Sequence, residues 1–275
     1  MRAGGAPGAA MAETKQHPPV IEVGDGAAIP LRRDIGLFSA WRVAFFGAIG
    51  AVAYLALTRP DPYLRILLFV PDGILVTFEV TVASILLALV IGLFTGLGRL
   101  AKNRLINGVA SLYVEVIRGI PLLVQIFYIY YALGRIVRIP DLYSAVIAMA
   151  ICYGAYMGEI FRAGIQSIPR GQTEAARSLG MTHAQAMRHV IIPQAFRVVL
   201  PPIGNEFIAL LKDSSLVSIL AVSDLLRRGR EFAAESFSYF ETYTVIALIY
   251  LALTLFFSKL IGLMEERFGA DKRAA

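Results

Sequence analysis

The 275-residue sequence contains a single cysteine and only three histidines. One cysteine cannot form a disulfide within the chain, and a zinc site built on several cysteines is excluded as well. Cys152 lies inside an apolar segment, where we expect a small buried hydrophobic residue. The sequence has no H-E-x-x-H pattern and no G-x-S-x-G pattern, which excludes a zincin site and disfavours a serine hydrolase. We therefore predict no catalytic and no metal-binding residue.

Charge is also scarce. Charged residues make up 17% of the chain and hydrophobic residues 57%, whereas soluble domains have about 25% and about 45–50%. Both deviations indicate a membrane protein with several spans. The net charge of +6 is then explained by Lys and Arg in cytoplasmic loops, rather than by binding to nucleic acid.

Long apolar segments fit this interpretation, because a helix needs about 20 apolar residues to cross the bilayer. Six segments qualify: Trp41–Leu57, Ile74–Leu97, Val109–Leu133 with a kink at Pro121, Leu142–Ile165, a broken span between Gln194 and Val222, and Tyr243–Met264. Between the last two, the polar segment 223–240 is predicted to form a short amphipathic helix on the outer face.

The domain plan follows from these spans. Residues 1–38 are rich in Gly, Ala and Pro, which predicts a disordered tail. Residues 39–73 form an additional span and an outer loop, 74–266 the main membrane domain, and 267–275 a C-terminal tail. If the N-terminus is placed in the cytoplasm, the connecting segments on the cytoplasmic side carry more Lys and Arg than those on the outer side. The positive-inside rule then places both termini and residues 170–193 in the cytoplasm.

The most informative stretch is the moderately polar loop Glu174–Pro193. Gly180 fits the left-handed position that ends a helix, and Thr182 with Gln185 has the form of a capping box. Pro193 lacks an N–H and would clash with the preceding turn. The sequence thus predicts a helix, a sharp turn, a second helix and a stop. Ala175 and Ala176 would leave one helix face thin enough for another protein to approach. An ordinary interfacial helix pair on lipid headgroups remains an alternative.

This loop resembles the cytoplasmic EAA loop of ATP-binding-cassette importer permeases. The shared pattern is Glu174-Ala175-Ala176, Gly180, and Val190-Ile191-Ile192-Pro193. Val190 stands where Ile is usual and Ile192 where Leu is usual, both conservative changes. Further runs resemble the polar amino-acid branch, the histidine/glutamine/arginine/opine type, over roughly Leu75 to Met264: 116–125, 156–165, 171–172, 201–207 and 211–217.

The resemblance implies an all-α, polytopic bundle with a five-helix core plus one N-terminal helix. It implies a bacterial inner-membrane permease that works as a dimer of identical or related subunits. A solute-binding protein would dock outside, and an ATPase subunit would bind the loop through Glu174, Ala175, Ala176, Leu179, Gly180 and Pro193. The chain has no G-x-x-x-x-G-K-[ST] sequence. We therefore expect no cofactor in this chain and ATP on the partner ATPase.

Charged residues inside the spans are candidates for a translocation path, because ionisable groups at membrane depth usually face a bundle interior or a wet cavity. Glu115/Arg118 and Glu159/Arg162 are spaced to form ion pairs on one helix face. Asp213-Ser214-Ser215 could break the fifth span, and broken helices in transporters can expose backbone dipoles to substrate. The candidate path residues are Glu159, Asn205, Glu206, Lys212 and Asp213. For the last four, a role in the packing of a kinked helix explains their presence in the span equally well.

Two questions stay open at this point. Gly92 and Gly96 form a G-x-x-x-G motif, which serves either a dimer contact or an internal one. An ion-coupled secondary transporter or channel acting without an ATPase also explains the spans and buried charges, but it does not explain an ordered cytoplasmic loop.

Overall fold

The computed structural model describes residues 39–136 and 139–269, and all regular structure in them is helical. The predicted all-α class is confirmed. The predicted tail 1–38 and residues 270–275 lie outside the described part. The helices are α1 (Ala40–Thr58), α2 (Pro60–Phe69), α3 (Pro71–Arg99), α4 (Arg104–Gly119), α5 (Leu122–Ile136), α6 (Asp141–Gln166), α7 (Arg170–Ser178), α8 (His183–Ala186), α9 (Ile192–Asp213), α10 (Leu225–Ser236) and α11 (Tyr239–Gly269). A π-helical turn, Met187–Ile191, joins α8 to α9, and a 3₁₀ helix, Ser214–Leu220, follows α9.

Four described helices are long and apolar enough to cross a membrane: α1, α3, α6 and α11. The bent pair α4–α5 makes a fifth if it is counted as one span. The predicted fifth span falls on α9, which is not among them. Its 22 residues include Arg197, Glu206, Lys212 and Asp213, and that many charges are unfavourable for a helix surrounded by lipid.

The centre of the fold is the crossing of α3 and α6, and glycines on both helices make it close. A Cβ built on Gly92 would lie 2.3 Å from Met157 Cβ, and one on Gly96 would lie 2.8 Å from the Gly158 carbonyl oxygen. On the opposite helix, a Cβ on Gly154 would meet the Ile91 side chain at 2.5 Å. The G-x-x-x-G motif therefore serves an internal contact, with a matching Gly154-x-x-x-Gly158 on α6.

The predicted third span is bent at Pro121, as expected, but much more sharply than a kink within one helix. It consists of α4 and α5, which meet at an angle of 113° around Pro121. Ile120 has extended φ/ψ of −110°/139°, as expected for the residue before a proline. The buried Gln125 side chain donates hydrogen bonds to the carbonyls of Ile117 and Ile120, both at 2.6 Å. These two carbonyls lie at the break, so Gln125 stabilises the bend.

Cys152 of α6 is buried, as predicted, and it contacts the same glutamine. Its thiol donates to Gln125 Oε1 at 3.2 Å. The amide group of Gln125 is therefore bonded on both of its ends, to the break through its nitrogen and to α6 through its oxygen. This arrangement joins the bend between α4 and α5 to the central helix.

The predicted break of the fifth span at Asp213-Ser214-Ser215 is confirmed, since α9 ends at Asp213 and the chain continues as a 3₁₀ helix. Ser214 Oγ donates to the Leu211 carbonyl at 2.8 Å and Ser215 Oγ to the Lys212 carbonyl at 2.7 Å. Such serine-to-backbone bonds compete with regular helical pairing. The tighter helix therefore begins where the two serines follow Asp213.

The predicted short helix in 223–240 is also confirmed, as α10. Asp224 caps it by accepting from the amides of Leu226 and Arg227 at 3.3 and 3.0 Å. Asp224 is completely buried, and this burial raises the pKa of its carboxyl to about 6. The Leu225 amide donates to Thr77 Oγ1 of α3 at 3.0 Å. The start of α10 is thus fixed against the start of α3.

The segment predicted as an outer loop after the first span contains α2. Arg228 of α10 connects it to the core: the guanidinium lies 4.2 Å from the Phe69 ring centroid and forms an ion pair of 2.8 Å with Asp72. α1 packs against α11 and α2, and of its residues only Ala48 is buried. The additional helix therefore lies at the edge of the bundle.

Candidate functional site

The loop between α6 and α9 begins with α7, whose end has a complete Schellman motif. The Met181 amide donates to the Ala176 carbonyl at 3.2 Å, and the Gly180 amide to the Arg177 carbonyl at 3.0 Å. Gly180 has φ of +82°, a left-handed conformation that favours glycine. The helix end and sharp turn predicted from Gly180 are confirmed.

The start of α8 is fixed by the predicted capping box. Thr182 Oγ1 accepts from the Gln185 amide at 3.3 Å, and Gln185 Oε1 accepts from the Thr182 amide at 2.8 Å. These two bonds satisfy amides that the first turn of a helix leaves unpaired. Both ends of the turn between α7 and α8 are therefore held by local interactions.

The predicted stop at Pro193 is wrong. The helix continues from α8 through the π-helical turn into α9, with Pro193 in the first turn of α9. In the π turn the Ile192 amide donates to the Met187 carbonyl, five residues earlier. This wider turn accommodates a proline, which has no N–H and crowds the carbonyl four residues before it. Residues from His183 to Asp213 thus form one continuous helical segment, which contains the π turn and, inside α9, Pro201 and Pro202.

The outer face of α7 is exposed, whereas one of its alanines is not. Glu174, Ala175, Leu179 and Gly180 are exposed, and Leu179 has 81% of its surface accessible. Ala176 is buried within the chain, so the two alanines do not form one thin face as expected. Ala175 remains available to a partner, and Ala176 supports the packing of α7.

A pair of glutamines at the base of the loop is a feature that the sequence does not predict. Gln194 Nε2 of α9 donates to Gln172 Oε1 of α7 at 3.3 Å and to the Val190 carbonyl at 2.9 Å. The second bond lies in the π turn. Only the family resemblance singles out Gln172 in the sequence, and no local pattern pairs it with a residue 22 positions away.

The candidate path residues divide between two faces of α9. Glu206 and Asp213 are half-buried, whereas Asn205 and Lys212 are exposed. Residues seven apart share a helix face, so Glu206 lies on the face of Asp213, about 10 Å away along the axis. The Tyr153 hydroxyl of α6 donates to Asp213 Oδ2 at 2.7 Å. The structure thus joins Asp213 to α6 and separates it from Lys212.

Aromatic rings extend this cluster from Tyr153 along α6. The rings of Tyr153 and Tyr156 are 5.9 Å apart, and the Arg118 guanidinium of α4 lies 5.6 Å from the Tyr156 centroid. Three helices therefore contribute a carboxylate, a tyrosine hydroxyl and a guanidinium to one connected row. Such a row offers both signs of charge to a small polar solute.

Glu159 belongs to a different arrangement, a cluster of ion pairs between α3, α4 and α6. Its carboxylate contacts the guanidinium of Arg99 on α3 and that of Arg162 on its own helix, with Arg162 Nε 3.1 Å from Glu159 Oε2. Arg99 also lies 3.9 Å from the carboxylate of Glu115 on α4. Because arginines engage both carboxylate oxygens of Glu159, ion pairing explains this residue better than the translocation path does.

Among the residues that the structure describes, no group of three His, Cys, Asp or Glu side chains is placed to hold a metal ion. The loop 170–193 has one acidic residue, Glu174, among several basic ones. Its exposed apolar Leu179 and ordered turn suit contact with another protein. The half-buried polar row suits a small charged solute.

Residues 88–269 match the protein family described as binding-protein-dependent transport system inner membrane component. The chain is 41% identical over 197 residues to an L-cystine transport system permease protein of Bacillus subtilis (strain 168), covering 71% of this chain and 84% of that protein. It is 38% identical over 199 residues to a glutamine transport system permease protein of Escherichia coli (strain K12), covering 71% and 91%.

A solved structure described as an amino acid ABC transporter with histidines has a similar fold. It is 46% identical in sequence, with a TM-score of 0.71, and the match covers 74% of this chain and 96% of that one.

Proposed function

Since the chain belongs to the family of binding-protein-dependent transport system inner membrane components, we propose that it is the permease subunit of an ATP-driven amino-acid importer. It forms the translocation path and receives energy from a separate ATPase subunit. One observation carries the second part: the ordered surface of α7 and α8 continues without interruption into α9.

The continuity of α8 with α9 explains how energy from the ATPase reaches the translocation path. An ATPase that holds α7 and the turn at Gly180 moves α8 with them. Because α8, the π turn and α9 are continuous, that movement is carried from His183 to Asp213, a path of about 45 Å along the helix at 1.5 Å per residue. A continuous helix transmits displacement better than a flexible loop, because its successive turns are hydrogen-bonded to one another except where Pro193, Pro201 and Pro202 lack an N–H. ATP binds and is hydrolysed on the partner.

The remaining partners follow from the same proposal. The loop 170–193 lies in the cytoplasm, together with both termini. The end of the molecule with α10 then faces outside, where a solute-binding protein docks. A second permease subunit, identical or related, completes the path. The alternative of an ion-coupled transporter or channel leaves the ordered loop without a role.

Reconstitution into vesicles tests this function. We expect amino-acid uptake only when the ATPase subunit, the binding protein and ATP are all supplied, with ATP on the side of the loop 170–193. Uptake by this chain alone, driven by an ion gradient without ATP, would establish the alternative.

We assign the substrate chemistry to the row around Asp213. A zwitterionic amino acid needs an anionic partner for its ammonium group and a cationic partner for its carboxylate. Asp213 and Glu206 supply the first, and Arg118 supplies the second. The bond from the Tyr153 hydroxyl fixes the orientation of Asp213.

We expect Asp213→Asn to weaken transport by raising KM about tenfold or more. The change keeps the size of the side chain and its bond to Tyr153, but removes a charge-assisted contact worth about 1.5–3 kcal/mol. The measurement is uptake against substrate concentration, with basal ATP hydrolysis as a second readout. Lys212→Gln is the matched control, because Lys212 lies on the exposed face. If Asp213→Asn and Lys212→Gln raise KM equally, Asp213 has no specific role in the translocation path.

A further inference from the structure

An apolar groove lies between α1 and α11, with α2 at one end. Its volume is about 490 Å³, and all its lining residues are apolar. Small side chains, Ala48 and Ala53 on α1 and Ala252 on α11, leave the space, and Phe45 and Phe256 border it. Both helices are apolar enough to cross the membrane, so the groove is placed at the level of the acyl chains.

Trp41 lies next to one end of the groove, where its ring stacks on that of Phe45 with the centroids 5.0 Å apart. Its indole Nε1 donates to the Leu255 carbonyl of α11 at 2.8 Å, and the Lys259 Nζ lies 6.0 Å from its ring centroid. Tryptophan is enriched at the membrane–water interface, where its ring meets the headgroups. This contact therefore marks the headgroup level at one end of the groove.

The same end carries positive charge. Lys259 is exposed there, and a nearby lysine attracts anionic lipid headgroups. Glu265 and Glu266 are the nearest acidic residues along α11, about 9–11 Å further at 1.5 Å per residue. An aromatic ring does not neutralise the Lys259 ammonium, so its charge remains available to a phosphate.

We propose that this groove binds one anionic phospholipid. An acyl chain lies along Ala48 and Ala252 between α1 and α11, and the phosphate lies beside Lys259. The apolar lining selects hydrocarbon, and the basic end selects a negatively charged headgroup. The lipid fills the space that the small side chains leave and joins the additional helix α1 to the bundle.

Trp41 makes this testable, because it is the only tryptophan of the chain. The full chain is placed in phosphatidylcholine vesicles that contain a small fixed fraction of phosphatidylglycerol. Two samples are compared: in one, the phosphatidylglycerol carries brominated acyl chains, and in the other an equal mole fraction of the phosphatidylcholine does. Quenching of Trp41 fluorescence is measured in both. We expect about a fivefold preference for brominated phosphatidylglycerol, as one lysine near the surface provides.

Lys259→Gln should abolish the preference, and Lys259→Arg should retain it. Ala252→Phe fills the groove and should reduce quenching by both lipids. Equal quenching by the two lipids in the unmodified chain would reduce the site to ordinary surrounding lipid and overturn the proposal. Absence of quenching by either lipid would show that protein covers the groove, and would overturn it as well.

Discussion

Gly180→Val is expected to leave membrane insertion intact and to lower substrate-stimulated ATP hydrolysis and transport about tenfold. Gly180 has φ of +82°, and this conformation costs a residue with a side chain about 1–2 kcal/mol. A branched side chain is disfavoured further. The turn then adopts another geometry, and α7 no longer presents Leu179 and Glu174 in the correct position relative to α8. The measurement is ATP hydrolysis and uptake in the same vesicles.

Gly171→Val is the matched control. A Cβ at either glycine meets no atom within 4 Å, but only Gly180 of the two has a positive φ. The control should therefore retain coupling. If Gly180→Val hydrolyses ATP and transports as the unmodified protein does, the geometry of this turn has no part in energy transfer.

Gly92→Leu is expected to prevent stable folding. A Cβ at this position would lie 2.3 Å from Met157 Cβ and 2.9 Å from the backbone of Met157 and Gly158. Backbone atoms cannot move aside without separating α3 from α6, which costs roughly 3 kcal/mol, the upper part of the usual range for overpacking. We expect a much lower yield of folded protein and a lower midpoint of thermal unfolding.

Gly50→Leu makes the same replacement on α1, where a Cβ meets no atom within 4 Å. Its yield and unfolding midpoint should match those of the unmodified chain. A normal midpoint for Gly92→Leu would contradict the close crossing of α3 and α6.

Local rules predict the local features of the loop. The left-handed Gly180 and the capping box of Thr182 and Gln185 each depend on a few neighbouring residues, so the sequence alone is enough to place them. The apolar lengths of α1, α3, α6 and α11 are equally accessible, because the bilayer sets the length of a spanning helix.

Features that depend on distant residues do not follow from the sequence in this way. The 113° bend at Pro121 needs Gln125 to bind the carbonyls that the break exposes. Pro193 indicates a stop, but a π turn before it keeps the helix continuous. Glu159 receives a second arginine from α3, sixty positions away in sequence. Sequence spacing within one helix gives no information about such partners.

Photo-crosslinking from position 179 tests whether the ATPase subunit binds the turn between α7 and α8. Cys152 is buried, so in Leu179→Cys the new thiol is the accessible one and can carry a thiol-linked photoreactive group. In the purified complex we predict an adduct with the ATPase subunit. The same label on Phe237→Cys, at an exposed position directly after α10, should give no such adduct. An adduct with the ATPase from position 237, or none from position 179, would contradict the account.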